Sequence, residues 1–481
     1  MALALATQAL ALASFIVLAH FAPPSTFGKY AAASVLLGVS GLFTEAGMHA
    51  AVIQRQDKLQ EAATTALIAN LVGGITLGLV AAAAAPLIGL FFHSRTTGLA
   101  AAVLAGTIPL NAAAIVPGAV IRRRVSIRLA FVEPVRVVAY GATAGSLLAA
   151  GFGLWGLVLA TYAAAAVGTA AVWMFSGWRP TFRLASWDMW RSLSRYGRPV
   201  VISLFLREIG FAGMTAFVGR AFGSSVLGQF RYAQRLVVQA NSAVTLSSAY
   251  VLLPAFSRIA ADELRFRAAI LRALRVLSLI VFPLSLVFIP LGRPIAATVL
   301  GKNWTGAGPI MMALAGVGLA LAISSVSAEA FKASGRTDLL PRLHALTATA
   351  PLLWMFVLLP VGSVGMGLAV SLGLALEALY AVRALGRVAQ VRPATILAQL
   401  RPSLVASLAM LAIVFLLDER LFHAARTGGA KGVGFLALEL AVAAAIYLLA
   451  LALVSREALS ELKNTAGHLT GRSRQEEPSG S

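Results

Sequence analysis

Three arginines are the residues of this chain with the most to say about chemistry. Arg207, Arg231 and Arg235 lie inside stretches that are otherwise apolar. Arg231 and Arg235 are four apart, so they share one face of any helix that carries them. A guanidinium keeps its charge, and its fork of donors matches the oxygens of a phosphate or carboxylate. Gln234, Gln239 and Asn241 make that second stretch unusually polar. In another apolar stretch stands a carboxylate, Glu45, with His49 one helical turn later on the same face. Charge in hydrocarbon is costly and marks a cavity or pathway. The set therefore reads as a hydrated cavity with a cationic wall on one side and a titratable carboxylate on the other. Each residue has a plainer reading beside this one. Arg231 is close enough to its segment end to snorkel, Arg207 has Glu208 as a neighbour, and Glu45 and His49 suit helix packing. Glu133 and Arg136, three apart, read as a local ion pair. Glu329 and Glu377 read as structural groups near the inner surface, and no role for Glu439 follows from the sequence.

Other chemistries find no residues to perform them. There is no cysteine, which removes disulfides, thiol catalysis and thiolate metal sites. The six histidines are scattered without ligand spacing. Gly301-Lys302 lacks the upstream glycine and following hydroxyl of a phosphate-binding loop. No D-x-D pair occurs either, so neither a cofactor nor a metal is expected, and the chain does not read as an enzyme.

The elements that must position these residues are membrane helices. Of the 481 residues, 59% are hydrophobic and 12% charged, with mean hydropathy +0.85. Ordinary soluble chains carry about 25% charged residues. Backbone in lipid must satisfy its own hydrogen bonds, and long continuous Ala/Leu runs choose helices over barrel strands. Fourteen spans are expected, at roughly 2–20, 30–53, 63–88, 97–121, 129–152, 154–175, 199–220, 228–255, 275–299, 308–331, 341–361, 363–382, 400–417 and 433–454. The third is overlong and open to tilt or a bend near Pro86. Met1 to His20 lacks a basic leader and a cleavage site, so it reads as the first span.

Charge tests the count. Of 39 Lys and Arg, 27 fall in even-numbered connections and the tail, 8 in odd-numbered ones and 4 within spans. That asymmetry places the even connections and both termini in the cytoplasm. It also accounts for the net charge of +21 without nucleic acid.

The chain repeats itself in parallel. Leu18 to Tyr30 aligns with Val218 to Phe230 at an offset of 200, and Ala105-Gly106 with Ala315-Gly316 at 210. The organisation is a six-span lobe over 1–175, a linker over 176–198, a second lobe over 199–388, two further spans over 389–455 and a polar tail over 456–481. In the linker Met189, Trp190, Leu193 and Tyr196 share a face, with Trp187 at its edge, which suggests an interfacial amphipathic helix. From about Glu457 the composition suggests disorder.

At this point the residues resemble a family. Phe27-Gly28-Lys29-Tyr30 before a span ending Ala51-Val52-Ile53-Gln54-Arg55 is similar to the start of Wzx-type polysaccharide flippases. These belong to the multidrug/oligosaccharidyl-lipid/polysaccharide exporter superfamily. Similar too are Leu227 to Leu236 (LGQFRYAQRL), Pro254 to Arg258 (PAFSR) and Leu300 to Trp304 (LGKNW). The resemblance covers nearly the whole chain; what departs is the missing short basic arm before the first span. It implies two six-helix lobes around a central cavity in the bacterial inner membrane. It also implies an undecaprenyl-pyrophosphate-linked oligosaccharide as substrate, with Arg207, Arg235 and Arg231 binding the pyrophosphate. Coupling to H+ or Na+ would then fall to Glu45, with His49 beside it, and membrane lipids and other polysaccharide-assembly proteins are the partners to expect. A drug exporter of the same fold would want an acidic or aromatic cavity. A glycan polymerase or ligase would want longer outer connections than these.

Overall fold

A computed structural model describes residues 2–38, 58–123, 130–418 and 429–469, and no strand occurs among them. The first repeat contains α1 (Ala2–Phe21), α2 (Pro24–Ala33), α3 (Leu59–Phe91), α4 (Arg95–Ala105), α5 (Thr107–Arg123), α6 (Val132–Ala149) and α7 (Leu154–Ser176). A single long run, α8 (Trp187–Ile259), carries the linker and the next two expected spans. After it come α9 (Glu263–Leu286), α10 (Phe288–Ile295), α11 (Ala307–Ala313), α12 (Val317–Ala333), α13 (Leu340–Val357) and α14 (Ser363–Val388). The last three are α15 (Pro393–Leu417), α16 (Gly429–Val454) and α17 (Arg456–Leu469). Seven helices among the described residues are long and apolar enough to cross a bilayer, or eight with the bent α11–α12 pair. The protein is a polytopic helical membrane protein.

The two copies of the repeat break at aligned residues. Gly106 separates α4 from α5, and Gly316 caps α12 after a bend of 45° from α11. A break leaves backbone carbonyls short of a helical donor, Val103 O keeping only the Gly106 N–H at 3.0 Å, and a nearby hydroxyl can add another. Tyr162 Oη on α7 donates to Val103 O (2.5 Å), while Ser371 Oγ on α14 donates to Ala313 O (2.7 Å). Val103 and Ala313 are 210 apart, the offset of the glycines themselves. The same hydrogen bond is thus rebuilt in each copy by a different hydroxyl.

Several expectations change in detail. α3 runs for 33 residues without a break through Pro86, about 50 Å at 1.5 Å per residue and longer than the apolar core is thick. α9 begins at Glu263, capped by Asp262, whose Oδ1 accepts from Arg265 N at 3.0 Å. Arg265, Arg267 and Arg272 therefore sit on a helix rather than in a connection. The linker is continuous with the helix that follows it. Its Met189 and Leu193 are buried against Ala62, Leu67, Val116 and Trp178, whereas Trp187 is exposed and stacks on Trp190 at 4.3 Å. Gln60 ties the strap before it, accepting from Trp178 Nε1 at 2.7 Å and donating to Arg179 O at 2.7 Å.

As far as Leu469, with 470–481 outside the described residues, the disorder expected from Glu457 is corrected by α17. Its apolar Ala458 is buried, and its acids face the basic turns of α9. Arg275 reaches Glu457 at 2.8 Å and Glu461 at 3.7 Å, and Arg272 reaches Glu461 at 3.6 Å. Opposite charge on a neighbouring helix outweighs a polar composition. Contacts group the chain into two compact units, 1–232 with 347–366, and 233–346 with 367–481.

Candidate functional site

Two glycines of the first unit set the geometry of the helix on which Arg231 stands. α2 starts at Pro24, with Gly28 one turn on; Ser224 and Gly228 stand at the same places in the second copy. A Cβ added at Gly28 would overlap the carbonyl oxygen of Ser224 and lie 2.9 Å from Gly228 N. One added at Gly228 would overlap the carbonyl oxygen of Pro24 and lie 3.1 Å from Gly28 N. The contact is reciprocal, backbone against backbone, as a local two-fold requires. Such an approach is open only to residues without side chains. Gly223, at φ 80°, turns the chain into this crossing in a backbone region that favours glycine.

Aromatic rings seal the surroundings. Tyr232 stacks on Phe15 with centroids 3.6 Å apart and meets the edge of Phe27 at 4.9 Å. Its hydroxyl donates to Phe15 O at 3.3 Å. The ring of Phe92 lies against Gly219, where a Cβ would overlap it.

Arg231 follows Gly228 by less than a turn, and Arg235 by about 10 Å along the helix at 1.5 Å per residue. Leu227, Phe230, Tyr232, Ala233, Leu236 and Val237 bury the packed face of this stretch, leaving Arg231 half-buried and Arg235 exposed. Two of the helix's other polar residues, Gln234 and Asn241, turn inward instead. Within the second unit Asn241 is fully buried, its Nδ2 donating to Val237 O at 2.7 Å and its Oδ1 lacking a hydrogen-bond partner. It lies against Gly318, beside Ser285, whose Oγ donates to Ala315 O at 2.5 Å and accepts from Gly318 N at 3.1 Å. Those amides serve packing; the guanidinia are what the helix presents outward. The positions 200 earlier hold Ala31 and Val35. The cationic face therefore belongs to one copy only.

Other sequence candidates fare differently. Arg207 lies on α8, and its side chain is outside the described residues. Its neighbour Glu208 packs on Gly38, where a Cβ would sit 2.6 Å from Glu208 Oε1. Glu45 and His49 both lie outside the described residues. Glu133 and Arg136 form the expected local pair at 3.2 Å. Glu329 is buried and pairs with Lys332 at 2.7 Å; Glu377 is also buried. Glu439 is 2% exposed, and Asp418 is the charged group beside it. The LGKNW stretch is architectural: Gly301 turns at φ 96° and Trp304 is fully buried. No group of three or more His, Asp or Glu among the described residues could hold a metal.

The glycine crossing was missed from sequence, although Gly28/Gly228 is one of two identities in the first aligned stretch. An identity that survives in an otherwise diverged repeat was the available signal.

The family profile described as "Polysaccharide biosynthesis protein" matches residues 17–309. The succinoglycan biosynthesis transport protein ExoT of Rhizobium meliloti (strain 1021) is 24% identical over 300 residues, 62% of this chain and 60% of that protein. The match thus spans less than two thirds of that relative's length. The amylovoran biosynthesis protein AmsL of Erwinia amylovora is 23% identical over 295 residues, 60% of this chain and 76% of its own. Among solved structures, the lipid II flippase MurJ in an inward closed conformation superposes with a TM-score of 0.77. It is 15% identical, and the match covers 95% of this chain and 98% of that one. An inward-facing multidrug resistance MATE family transporter of the MOP superfamily gives 0.64 at 16% identity, covering 80% and 96%.

Proposed function

This chain belongs to the polysaccharide biosynthesis protein family, and from that premise we propose that it flips a lipid-linked oligosaccharide. The cargo is an undecaprenyl-pyrophosphate-linked glycan, carried from the cytoplasmic to the outer leaflet of the inner membrane for surface polysaccharide assembly. The observation that carries this reading is the cationic face of Arg231 and Arg235 on the helix whose Gly228 makes the crossing of the two copies. A pyrophosphate needs guanidinium forks to leave water. A sugar headgroup needs a hydrated path, because burying its hydroxyls unpaired costs several kcal/mol. The named activities of the succinoglycan transport protein and the lipid II flippase agree with such a cargo.

In this reading fourteen spans, with both termini cytoplasmic, form two six-helix lobes that rock about their repeat axis. The crossing at Gly28 and Gly228 closes the outer end while Arg231, Arg235 and Arg207 receive the pyrophosphate. Opening of the crossing then releases it outward. Glu45, with His49 one turn on, is the coupling residue, holding H+ or Na+ in one state and releasing it in the other. Vesicles loaded with lipid-linked oligosaccharide test this under an imposed proton or sodium gradient. The gradient should accelerate flipping by the wild type and leave Glu45→Gln unaccelerated. Acceleration that survives the substitution would assign Glu45 to helix packing.

A further inference from the structure

A second cationic site lies where α14 ends and α15 begins. Arg383 and Arg387 are one turn apart on α14 and share a face. Gln390, at φ 51°, reverses the chain, and Val391 N donates to Gly386 O at 2.8 Å. A Cβ at Gly386 would lie 2.7 Å from Val391 O, so the glycine keeps the turn tight. Arg392 follows, immediately before Pro393 opens α15. All three arginines line one cleft of about 520 Å³ together with Gln390, Val391 and Pro393.

This cleft gathers three arginines and no acid. Arg265, Arg272, Arg275 and Arg336 each have an Asp or Glu within 4 Å. Arg383, Arg387 and Arg392 are exposed, and among the described residues none has a carboxylate that near. The N-terminus of the 25-residue α15 adds its dipole to the same cleft. Three uncompensated guanidinia around a concave site call for an anion of more than one charge-bearing oxygen. The charge asymmetry puts this turn at the cytoplasmic surface, where anionic headgroups lie. One turn along α15, exposed Leu397 offers apolar surface to an acyl chain.

We propose that this cleft binds the phosphate headgroup of an anionic phospholipid of the cytoplasmic leaflet. The proposal does not rest on the flipping reading. A phosphate oxygen set between Arg383 and Arg387 takes donors from both, and Arg392 closes the third side.

Native mass spectrometry of the detergent-purified full chain, titrated with phosphatidylglycerol or phosphatidylcholine, tests it. Phosphatidylglycerol should bind in preference. The triple variant Arg383→Gln/Arg387→Gln/Arg392→Gln should weaken it about 100-fold, at roughly fivefold per arginine. Because all three side chains are exposed, the unfolding temperature of the triple variant should stay at the wild-type value. Arg336→Gln, whose partner is Asp338, should bind phosphatidylglycerol as the wild type does. Equal binding of the two lipids, or retention of the preference by the triple variant, overturns the proposal. Displacement by millimolar inorganic phosphate would make the ligand a free anion and overturn the lipid assignment. Displacement by undecaprenyl pyrophosphate at equal concentration would likewise reassign the cleft to the substrate.

Discussion

Replacing Gly28 by Leu should reduce surface-glycan export more than tenfold while leaving the protein in the membrane at wild-type amounts. The Cβ alone would overlap the Ser224 carbonyl, and no side chain can swing aside to relieve it, because the obstacle is backbone. Helices that cross without glycine keep axes 8–10 Å apart, so a leucine forces α2 and the α8 stretch at Gly228 to separate. In the proposed cycle that separation is the outward-open state. The variant is then trapped with its outer end open, and export stops for want of a return. Gly228→Leu should fail in the same way, since its Cβ would overlap the Pro24 carbonyl. Gly73→Leu is the control: among the described residues no atom outside its own helix lies within 4 Å of a Cβ there. Wild-type export by both crossing variants, measured beside that control, would remove the crossing from the mechanism.

Arg231→Gln combined with Arg235→Gln should lower export at least 100-fold. A hydrogen bond to a charged group contributes about 1.5–3 kcal/mol, or roughly ten- to a hundredfold for each arginine that engages the pyrophosphate. Lysine at either position should restore little, because the planar fork, not the charge alone, matches two phosphate oxygens. Arg207→Gln should show a loss of the same kind. Gln is close in length and keeps donors, so the fold should survive. Full export by the double variant would mean that the cationic face does not touch the cargo.

Much of the fold was legible because lipid leaves few choices. The apolar runs and the absence of strand patterning led directly to helices, and the repeat placed Gly106 opposite Gly316 before either break was described. Other features were hidden by the limits of periodicity. Nothing in Tyr162 or Ser371 says that each will serve a freed carbonyl, because one is aromatic and the other small, and only the break they repair is shared. Composition misjudged 457–469, since its helix depends on Arg272 and Arg275 nearly 200 residues away. For the site, the sequence separated charged from apolar positions on the 228–241 stretch but could not separate guanidinia from amides. Packing did that: Gln234 and Asn241 are buried while Arg235 is exposed. The glycine crossing was present as two letters 200 apart, and its meaning needed the backbones to be seen touching.

The central claim is that this chain moves a lipid-linked oligosaccharide across a bilayer, and one measurement addresses it without reference to any single residue. Vesicles carrying the purified protein and a fluorescent undecaprenyl-pyrophosphate-linked oligosaccharide are exposed to a membrane-impermeant glycan-cleaving enzyme. In protein-free vesicles about half of the lipid, the outer-leaflet share, should be cleaved and the rest protected. With the protein present, cleavage should proceed toward completion within the assay, because inner-leaflet lipid is delivered outward. Protection of the inner-leaflet half, unchanged by correctly inserted protein with and without a gradient, would contradict the account.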